Sequence, residues 1–462
     1  MSTGLDVLIE TAAAAPIHRR VGTVMHTSGE MVTARGINLQ PHELAFIEDP
    51  AGRPVAAECA GANGADSYLA MLDRGTVVAG SRVLAAGRTP SAPVGRNLLG
   101  RVLDGLGRPM DGGEEPRSVR WVPGHAEPPH PLHREPISEA LPTGVRAIDG
   151  FLTLGQGQRV GIFAGSGVGK STLLGMLARG TEADITVIAL IGERGREVRD
   201  FIEHDLGLEA LKRCVVVAST GDNPAAMRLC AARTATAIAE AYRAEGLNVL
   251  LLFDSLTRVA MAQREIGLAA GEPPTTKGYP PSVFSLLPHL MERAGPAGNG
   301  SITAIYTVLV DGEDMDEPIA DLARATLDGH IVLKRSLASA GHYPPIDVLN
   351  SVSRLMERVS SPPHKESART LRGLMAAHAD ARDLISIGAY VAGSDPIVDQ
   401  AIELTPAINA FLRQRADDVT PYDESIAALA VIDPNARAVE ATPEEETYDA
   451  DPATFETVGE TA

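Results

Sequence analysis

The chain has 462 residues, about three times the length of a typical domain, so we expect two or three domains rather than one core. Hydrophobic residues make up 44% and charged residues 22%, which excludes a mostly disordered chain, and the 45 glycines and 32 prolines favour a loop-rich α/β enzyme. The formal net charge of −19 argues against a protein that mainly binds nucleic acid, because that task needs clustered Lys and Arg.

The spacing of the cysteines and the length of the apolar runs indicate the cellular compartment of the protein. Cys59, Cys214 and Cys230 lie far apart without paired spacing, which excludes a disulfide framework and a thiolate zinc site and suits a reducing compartment. Apolar runs such as 185–191 are far shorter than the roughly 18 residues that a membrane-spanning helix needs. The N-terminus has no basic residue before its apolar part, unlike a secretory signal. We therefore predict a cytoplasmic protein.

The sequence patterns of the N-terminal part of the chain predict three segments. Residues 1–20 place apolar side chains on one helical face, which indicates either a frayed tail or a helix that docks a partner. Residues 21–95 alternate short β-rich pieces with Gly, Asn and Asp turns, and this pattern predicts a small β-barrel or sandwich. Residues 96–134, which contain GRVLDGLGRPMDGG and a Pro-rich stretch, are predicted to be a linker.

The pattern changes over residues 135–358, where continuous apolar runs appear. Strands of this kind are buried on both faces, so we predict a parallel sheet packed between helices. A long helix is predicted to start at Asn223-Pro224, with Asn223 as its cap, and to run to about Tyr242, with Cys230 in the core. The predicted strands cover residues 159–164, 185–191, 214–219, 249–254, 301–310 and 330–335.

The C-terminal part is predicted to be helical and then disordered. Residues 359–435 show helical periodicity, with a break at the Gly-Ser-Asp-Pro sequence of 393–396. Residues 436–462 form an acidic tail, in which the segment 438–462 contains eight acidic residues and no basic one. Such a segment cannot bury a core, so we expect it to be disordered.

The segment AGSGVGKST, residues 164–172, lies between a predicted strand and the predicted helix STLLGMLARG, the context of a phosphate-binding P-loop. Its glycines allow backbone N–H groups to face an anion, Lys170 can reach the β- and γ-phosphates, and the Ser171 hydroxyl can bind Mg²⁺. Ala164 replaces the first glycine of the motif and is small enough for that turn. The predicted ATP-binding residues of the loop are Gly165, Ser166, Gly167, Val168, Gly169, Lys170, Ser171 and Thr172.

Two acidic residues stand at the ends of predicted strands. Asp254 ends the run VLLLFD, and a carboxylate at that place can hold Mg²⁺ through its water shell, as a Walker-B aspartate does. Glu193 follows the run ITVIALI, where a carboxylate could orient or deprotonate an attacking water. From the residues alone, the favoured interpretation of Glu193 is a surface residue in a charged turn.

Four segments together resemble a known family: the P-loop, GERGREVRDFIE, LLLFDSLTRVAMAQREIGLAAGEPP and HYPPIDVLNSVSR. They resemble the catalytic subunits of F1/V-type rotary ATPases and, within that superfamily, the ATPases of bacterial type III protein export. The flagellar form is favoured by MAQREIGLAAGEPPTTKGYPPSVFSLLPHL and DLISIGAYVAGSDPIVDQAI. The resemblance spans about residues 20–432 and implies an α/β fold: a RecA/F1-like P-loop core with an N-terminal small β-barrel and a C-terminal helical domain.

The resemblance also implies roles for individual residues. Glu193 matches the catalytic glutamate of the family, and Arg194 and Arg258 are expected near the phosphates. Tyr343 matches the aromatic residue that stacks on adenine, and Arg354 matches the arginine finger that enters the site of the neighbouring subunit. Without the motif, Tyr343 would be interpreted as a core residue and Arg354 as a solvated charge.

The implied activity is ATP hydrolysis with Mg²⁺ at the interfaces of a homohexameric ring that promotes export of flagellar proteins. The resemblance further implies peripheral association with the inner-membrane export apparatus, and the net charge of −19 argues against a nucleic-acid partner. Its implied partners are a stator-like regulator at residues 1–20, a coiled-coil stalk protein in the pore beside the acidic loop 311–318, an export gate and chaperone–substrate complexes.

Three alternatives stay open. A virulence-type (injectisome) secretion ATPase would share every catalytic residue and differ in its partners. An RNA-translocating ring helicase has a related core, but the net charge of −19 argues against a basic RNA channel. A non-catalytic subunit of a rotary ATPase characteristically lacks the glutamate found here as Glu193.

Overall fold

The computed structural model describes residues 20–310 and 314–436. The amphipathic segment predicted for residues 1–20 lies outside this part of the chain except for Arg20, and so does the acidic tail beyond residue 436. Three residues of the acidic loop 311–318 also lie outside it.

The first unit is a closed six-stranded antiparallel barrel with the strand order β1-β2-β5-β4-β3-β6. Alternate side chains of its strands, among them Val24, Val32 and Leu69, point inward and are buried in one apolar cluster. The predicted barrel is therefore confirmed. Its strands are β1 (Val21–Ser28), β2 (Met31–Arg35), β3 (Leu44–Glu48), β4 (Pro54–Asn63), β5 (Asp66–Met71) and β6 (Arg82–Ala85).

The segment predicted as a linker is more structured than a simple connection. After β7 (Ser91–Val94), the two-residue strand β8 (Val102–Leu103) joins the edge of the central sheet, and β9 (Arg120–Pro123) pairs with β7. The prediction of a plain linker over 96–134 is corrected here, because β8 hydrogen-bonds in parallel to the strand that contains Val216 and Val217. A run rich in Gly and Asp gives no periodicity from which so short a strand could be predicted.

The second unit is built on a nine-stranded sheet, ordered β19-β18-β12-β17-β15-β13-β14-β8, with β16 paired to β17. Six neighbouring strand pairs run parallel, as the apolar runs predict. A small separate sheet pairs β10 with β11. The strands are β10 (Ala140–Leu141), β11 (Leu154–Gly155), β12 (Arg159–Ala164), β13 (Ile185–Ile191), β14 (Cys214–Ser219), β15 (Asn248–Asp254), β16 (Gly295–Ala297), β17 (Gly300–Leu309), β18 (Gly329–Leu333) and β19 (Val352–Ser353).

Helices cover both faces of this sheet. Val187 and Ala189 of β13 belong to one apolar cluster, and Ile188 and Leu190 belong to the cluster on the opposite face. Strands that are buried on both faces need this sandwich of helices. The helices are α1 (Arg146–Phe151), α2 (Lys170–Gly180), α3 (Gly195–Asp200), α4 (Leu208–Leu211), α5 (Ala225–Ala244), α6 (Leu256–Ala269), α7 (Pro281–Glu292), α8 (Pro318–Thr326), α9 (Arg335–Ser339) and α10 (Met356–Val359).

The long helix α5 differs slightly from its predicted start. Pro224 is the N-cap residue rather than the first helical residue, and the Asn223 amide donates to the Ser219 hydroxyl at 3.3 Å instead of capping the helix. Cys230 is buried in the helix, as expected for core filling, and burial raises the pKa of its thiol to about 12.

A buried ion pair joins the barrel to α5. Arg233 of α5 binds the Glu58 carboxylate of β4 through both guanidinium amino groups, with Nη1 donating to Oε1 at 2.8 Å. Burial raises the pKa of Glu58, but the charge of Arg233 and hydrogen bonds from His125, His42 and Arg233 together outweigh burial and hold that pKa below its usual range. His125 also contacts Arg233, and burial together with the guanidinium charge lowers the pKa of His125 to about 4.

The C-terminal unit consists of three helices, and the helical prediction is confirmed. The predicted break at 393–396 separates the first two, and the Asp395 side chain caps the second by accepting from the N–H groups of Ile397 and Val398. In residues 20–310 and 314–436, no helix is both long enough and apolar enough to cross a membrane. The helices are α11 (Pro362–Ser386), α12 (Pro396–Leu412) and α13 (Tyr422–Ile432).

Candidate active site

The P-loop connects the end of β12 to the start of α2 at Lys170. Gly167 and Gly169 adopt positive φ angles of 73° and 103°, a conformation that glycine adopts without strain. Residues in this conformation turn successive N–H groups toward one point, and the N-terminus of the 11-residue α2 adds its partial positive charge. The loop therefore has the backbone of an anion-binding site.

Lys170 lies between two carboxylates at the carboxyl ends of neighbouring parallel strands. Its Nζ contacts Oδ1 of Asp254, the last residue of β15, and lies 3.6 Å from Oε1 of Glu193, which follows β13. The Thr307 hydroxyl donates to Asp254 Oδ1 at 2.7 Å and so fixes that carboxylate. The fold thus brings together three residues that the sequence predicts for one site.

Glu193 is held in a mostly buried position. The pKa of its carboxyl group is raised to about 7, because burial and the charge of Asp254 together outweigh the opposing charge of Lys170. Gly192, with a φ of 76°, shapes the turn before it, and a Cβ atom at Gly192 would lie only 2.8 Å from the Cβ of Arg258. Arg258 therefore packs directly against the turn that carries Glu193.

Arg194 is placed differently from Arg258. It stands at the start of α3, its side chain is 81% exposed, and its guanidinium lies 3.6 Å from the carboxylate of Glu197. In this structure the side chain of Arg194 faces solvent, whereas the expectation from sequence is a position near the phosphates.

A cavity of about 630 Å³ adjoins the P-loop on the side of Tyr343. The Tyr343 side chain is half-exposed rather than part of the core, and its ring lies 3.8 Å from the position that a Cβ atom at Gly169 would take. Leu173 and Met176 of α2 also line the cavity. An aromatic ring, apolar side chains and an adjacent phosphate loop together suit a nucleotide base.

Sequence reasoning missed two parts of this site. Residues 413–417, which follow α12, form another wall of the base cavity, although they lie more than 240 residues from the P-loop in the sequence and carry no motif. Arg335 donates from Nη2 to the Ser166 carbonyl at 2.9 Å and so braces the P-loop from α9. The sequence places Arg335 at the end of the predicted strand 330–335, whereas in the structure that strand ends at Leu333 and Arg335 begins α9.

Arg354 lies at the opposite edge of the sheet from the P-loop of its own chain. Ser353, its neighbour, pairs with Gly329 at the start of β18, whereas Ala164, just before the P-loop, pairs with Leu333 at the end of that strand. Gly329 and Leu333 are four residues apart along β18, which corresponds to about 13 Å at ~3.3 Å per residue. The Arg354 Nη2 donates to the Arg324 carbonyl at 3.1 Å. The fold therefore does not bring Arg354 to Lys170 of the same chain.

A P-loop, two carboxylates at adjacent strand ends and a base cavity define a P-loop enzyme that hydrolyses ATP. The chain belongs to the ATP synthase alpha/beta family, whose nucleotide-binding domain matches residues 144–353. Residues 360–431 match the C-terminal domain of the T3SS EscN ATPase.

Known proteins resemble the chain over almost its whole length. It is 50% identical to the flagellum-specific ATP synthase of Bacillus subtilis, over 93% of this chain and 98% of that protein. It is 47% identical to the type 3 secretion system ATPase of Xanthomonas euvesicatoria, over 94% and 98%. A solved structure of the assembled ATPase EscN with its central stalk EscO, from enteropathogenic E. coli, superposes with a TM-score of 0.82 at 44% identity, covering 89% of this chain and 99% of that one.

Proposed function

We propose that the chain is the ATPase of a flagellar type III protein export apparatus, and that it hydrolyses ATP at the subunit interfaces of a homohexameric ring. The observation that carries this proposal is the division of the site: the phosphate loop and Glu193 lie at one edge of the sheet, and Arg354 lies at the other. Such a chain supplies two different parts of a site to two different interfaces.

Binding of the triphosphate falls to the P-loop. The loop N–H groups and the Lys170 ammonium hold the phosphate oxygens, and Tyr343 stacks on the base. The oxygens of Ser171 and Asp254 are hard donors of the kind that Mg²⁺ prefers, and Thr307 already fixes the Asp254 carboxylate, so these residues fit the ion. When bound with ATP, Mg²⁺ neutralises charge on the β- and γ-phosphates.

Glu193 is the residue that accepts the proton of the attacking water. A general base is most effective when its pKa lies near the working pH, and burial raises the pKa of Glu193 to about 7. Arg258, packed against the same turn, is proposed to contact the phosphates. Arg194 is proposed to reach them only after a rotation of its exposed side chain.

Arg354 of the neighbouring subunit completes each site by stabilising charge on the phosphoryl group. Such an arginine finger contributes roughly 10³–10⁵ in rate in related enzymes, so an isolated subunit is expected to be nearly inactive. Because one chain carries both Glu193 and Arg354, a single type of subunit suffices for every interface.

We also propose partners for the ring, of which the stalk is supported by a solved structure of a relative. The EscN structure contains a central stalk, and we propose a coiled-coil stalk in the pore here, next to the acidic loop 311–318. A stator-like regulator at residues 1–20, an export gate, chaperone–substrate complexes and peripheral attachment to the inner membrane from the cytoplasm complete the proposal. A virulence-type secretion ATPase is the second candidate, because the Xanthomonas protein is almost as similar as the Bacillus one.

Mixing two inactive variants tests the shared site. Arg354→Ala and Lys170→Ala proteins are each expected to be inactive, and reassembly of their mixture with ATP should restore hydrolysis at interfaces where an intact P-loop meets an intact arginine. Arg358→Ala, which changes an exposed arginine four residues away, is the matched control and should keep wild-type activity. Mixed rings without recovered activity would show that Arg354 does not act across the interface.

A further inference from the structure

Residues 413–418, called the strap below, contain the cavity wall 413–417 and are held in place by Gln414. Gln414 is 5% exposed, and its backbone N–H donates to the carbonyl of Tyr343 at 2.9 Å. The strap directly continues α12, so this bond connects the C-terminal helices to the residue proposed to stack on the base.

The side chain of Gln414 connects the strap to the other side of the site. Its Oε1 accepts from the Arg146 N–H at 2.9 Å, and its Nε2 donates to the carbonyls of Gly144 at 2.8 Å and Asp418 at 3.0 Å. A third acceptor, the Thr420 hydroxyl, lies 3.3 Å from the same nitrogen. One amide therefore joins the turn before α1 to both ends of the strap.

The turn at Gly144 is itself firmly held against the P-loop helix. The buried Asp149 carboxylate accepts from the Gly144 N–H at 3.0 Å, and a Cβ atom at Gly180, the last residue of α2, would lie only 2.4 Å from the Thr143 carbonyl. The strap is thus tied through Gln414 to a turn packed on the C-terminal end of the same helix whose N-terminus faces the phosphates.

These contacts form a frame around the base cavity. Gly169 of the phosphate loop also lines the cavity, but none of the Gln414 hydrogen bonds described above goes to residues 165–170 of that loop. The lining combines the apolar or aromatic side chains Leu173, Met176 and Tyr343 with charged residues of the strap, and the apolar and aromatic walls can hold a base by shape and stacking. Binding of that kind depends on the distance between the strap and Tyr343. Gln414 joins the strap to Tyr343 through its backbone N–H and to the turn before α1 through its side chain.

We propose that Gln414 is a positioning residue for the nucleotide base, which holds the strap and Tyr343 at the separation that a purine needs. The inference rests on the proposed function and adds to it a coupling: base affinity depends on the position of the C-terminal helices, whereas triphosphate affinity does not. Loss of the amide removes two hydrogen bonds between the strap and the turn before α1, one from the Arg146 N–H and one to the Gly144 carbonyl, which together correspond to about a tenfold change in an equilibrium constant.

The test compares two ligands on the full-length protein. ATP and inorganic tripolyphosphate, each with Mg²⁺, are titrated against wild type, Gln414→Met and the control Gln400→Met, which changes an exposed glutamine on α12. We expect Gln414→Met to raise the Kd of ATP about tenfold and to leave the Kd of tripolyphosphate within about twofold. The KM for ATP should rise in the same proportion with little change in kcat, and Gln400→Met should match wild type.

Equal weakening of both ligands would overturn the inference, because it would indicate general damage to the site, and so would unchanged ATP binding. Should Gln414→Met fail to fold, Thr420→Val removes one acceptor of the same amide and should show a smaller loss confined to ATP. ATP hydrolysis by wild type is measured first. Failure of the proposed function is then seen separately from a failure of Gln414→Met to weaken ATP binding more than tripolyphosphate binding.

Discussion

Glu193 gives the sharpest test of the chemistry, because its environment predicts a pH profile. Its carboxyl group must be ionised to accept a proton from water, and burial and the charge of Asp254 raise its pKa to about 7 against the opposing charge of Lys170. Activity should therefore be present above pH 7 and lost as the pH falls through that value. A group with this pKa is about nine-tenths ionised at pH 8 and about one-tenth at pH 6, so kcat/KM should fall about tenfold.

The assay is the steady-state release of phosphate between pH 5.5 and pH 8.5, with kcat/KM fitted at each pH to report the free enzyme. Glu193→Gln should bind ATP normally and have a kcat lowered by a factor of roughly 10²–10⁴. Its residual kcat/KM should no longer fall as the pH is lowered through 7. The control Glu203→Gln changes a carboxylate that pairs with Arg199 at 2.7 Å near the surface, and it should keep the wild-type profile. A wild-type kcat/KM that stays flat from pH 6 to pH 8, or full turnover by Glu193→Gln, would refute this role.

Four further predictions concern binding, stability and the N-terminal segment. Lys170→Ala should weaken triphosphate binding by about 2 kcal/mol in calorimetry, since a charge-assisted hydrogen bond is lost; unchanged affinity would contradict the P-loop assignment. Arg233→Met should lower the free energy of unfolding in urea by about 3–5 kcal/mol, because it leaves Glu58 buried without its partner. Because the pKa of His125 is lowered to about 4, the folded protein should lose stability as the pH falls from 6.5 toward 4, with a loss of about 2 kcal/mol at pH 5. The variant His125→Gln should abolish this pH dependence of the free energy of unfolding. Deletion of residues 1–20 should leave the rest folded and abolish pull-down of the regulator; retention of that complex would make the segment a loose tail.

The central sheet and the core of the site could be predicted because their signals are local. Continuous apolar runs reveal strands buried on both faces, and residues at the ends of such strands meet at one edge of a parallel sheet. Lys170 and Asp254 therefore lie together, as these signals predict, whereas Glu193 beside them was assigned to the site only through the family resemblance. Arg194 shows the limit of this reasoning, because position next to a catalytic residue does not determine where a long side chain points.

Contacts between residues that are distant in the chain could not be predicted. The Gln414 side chain accepts from a residue 268 positions away, and Arg233 binds Glu58 across 175 positions. No periodicity or motif marks either partner, since both contacts depend on how finished units pack. The strand β8 was missed for a related reason: two residues cannot show alternation, and only the sheet edge they join makes them a strand.

The position of Arg354 at the sheet edge opposite the P-loop has a consequence for how activity depends on protein concentration. If each interface needs a P-loop from one subunit and an arginine from the next, a closed ring has as many complete sites as subunits, whereas an open string always has one fewer. A free subunit has none. Hydrolysis per subunit should then rise more steeply than in proportion to concentration and level off once rings close, so dilution alone would switch the enzyme off without any change in a single subunit's fold.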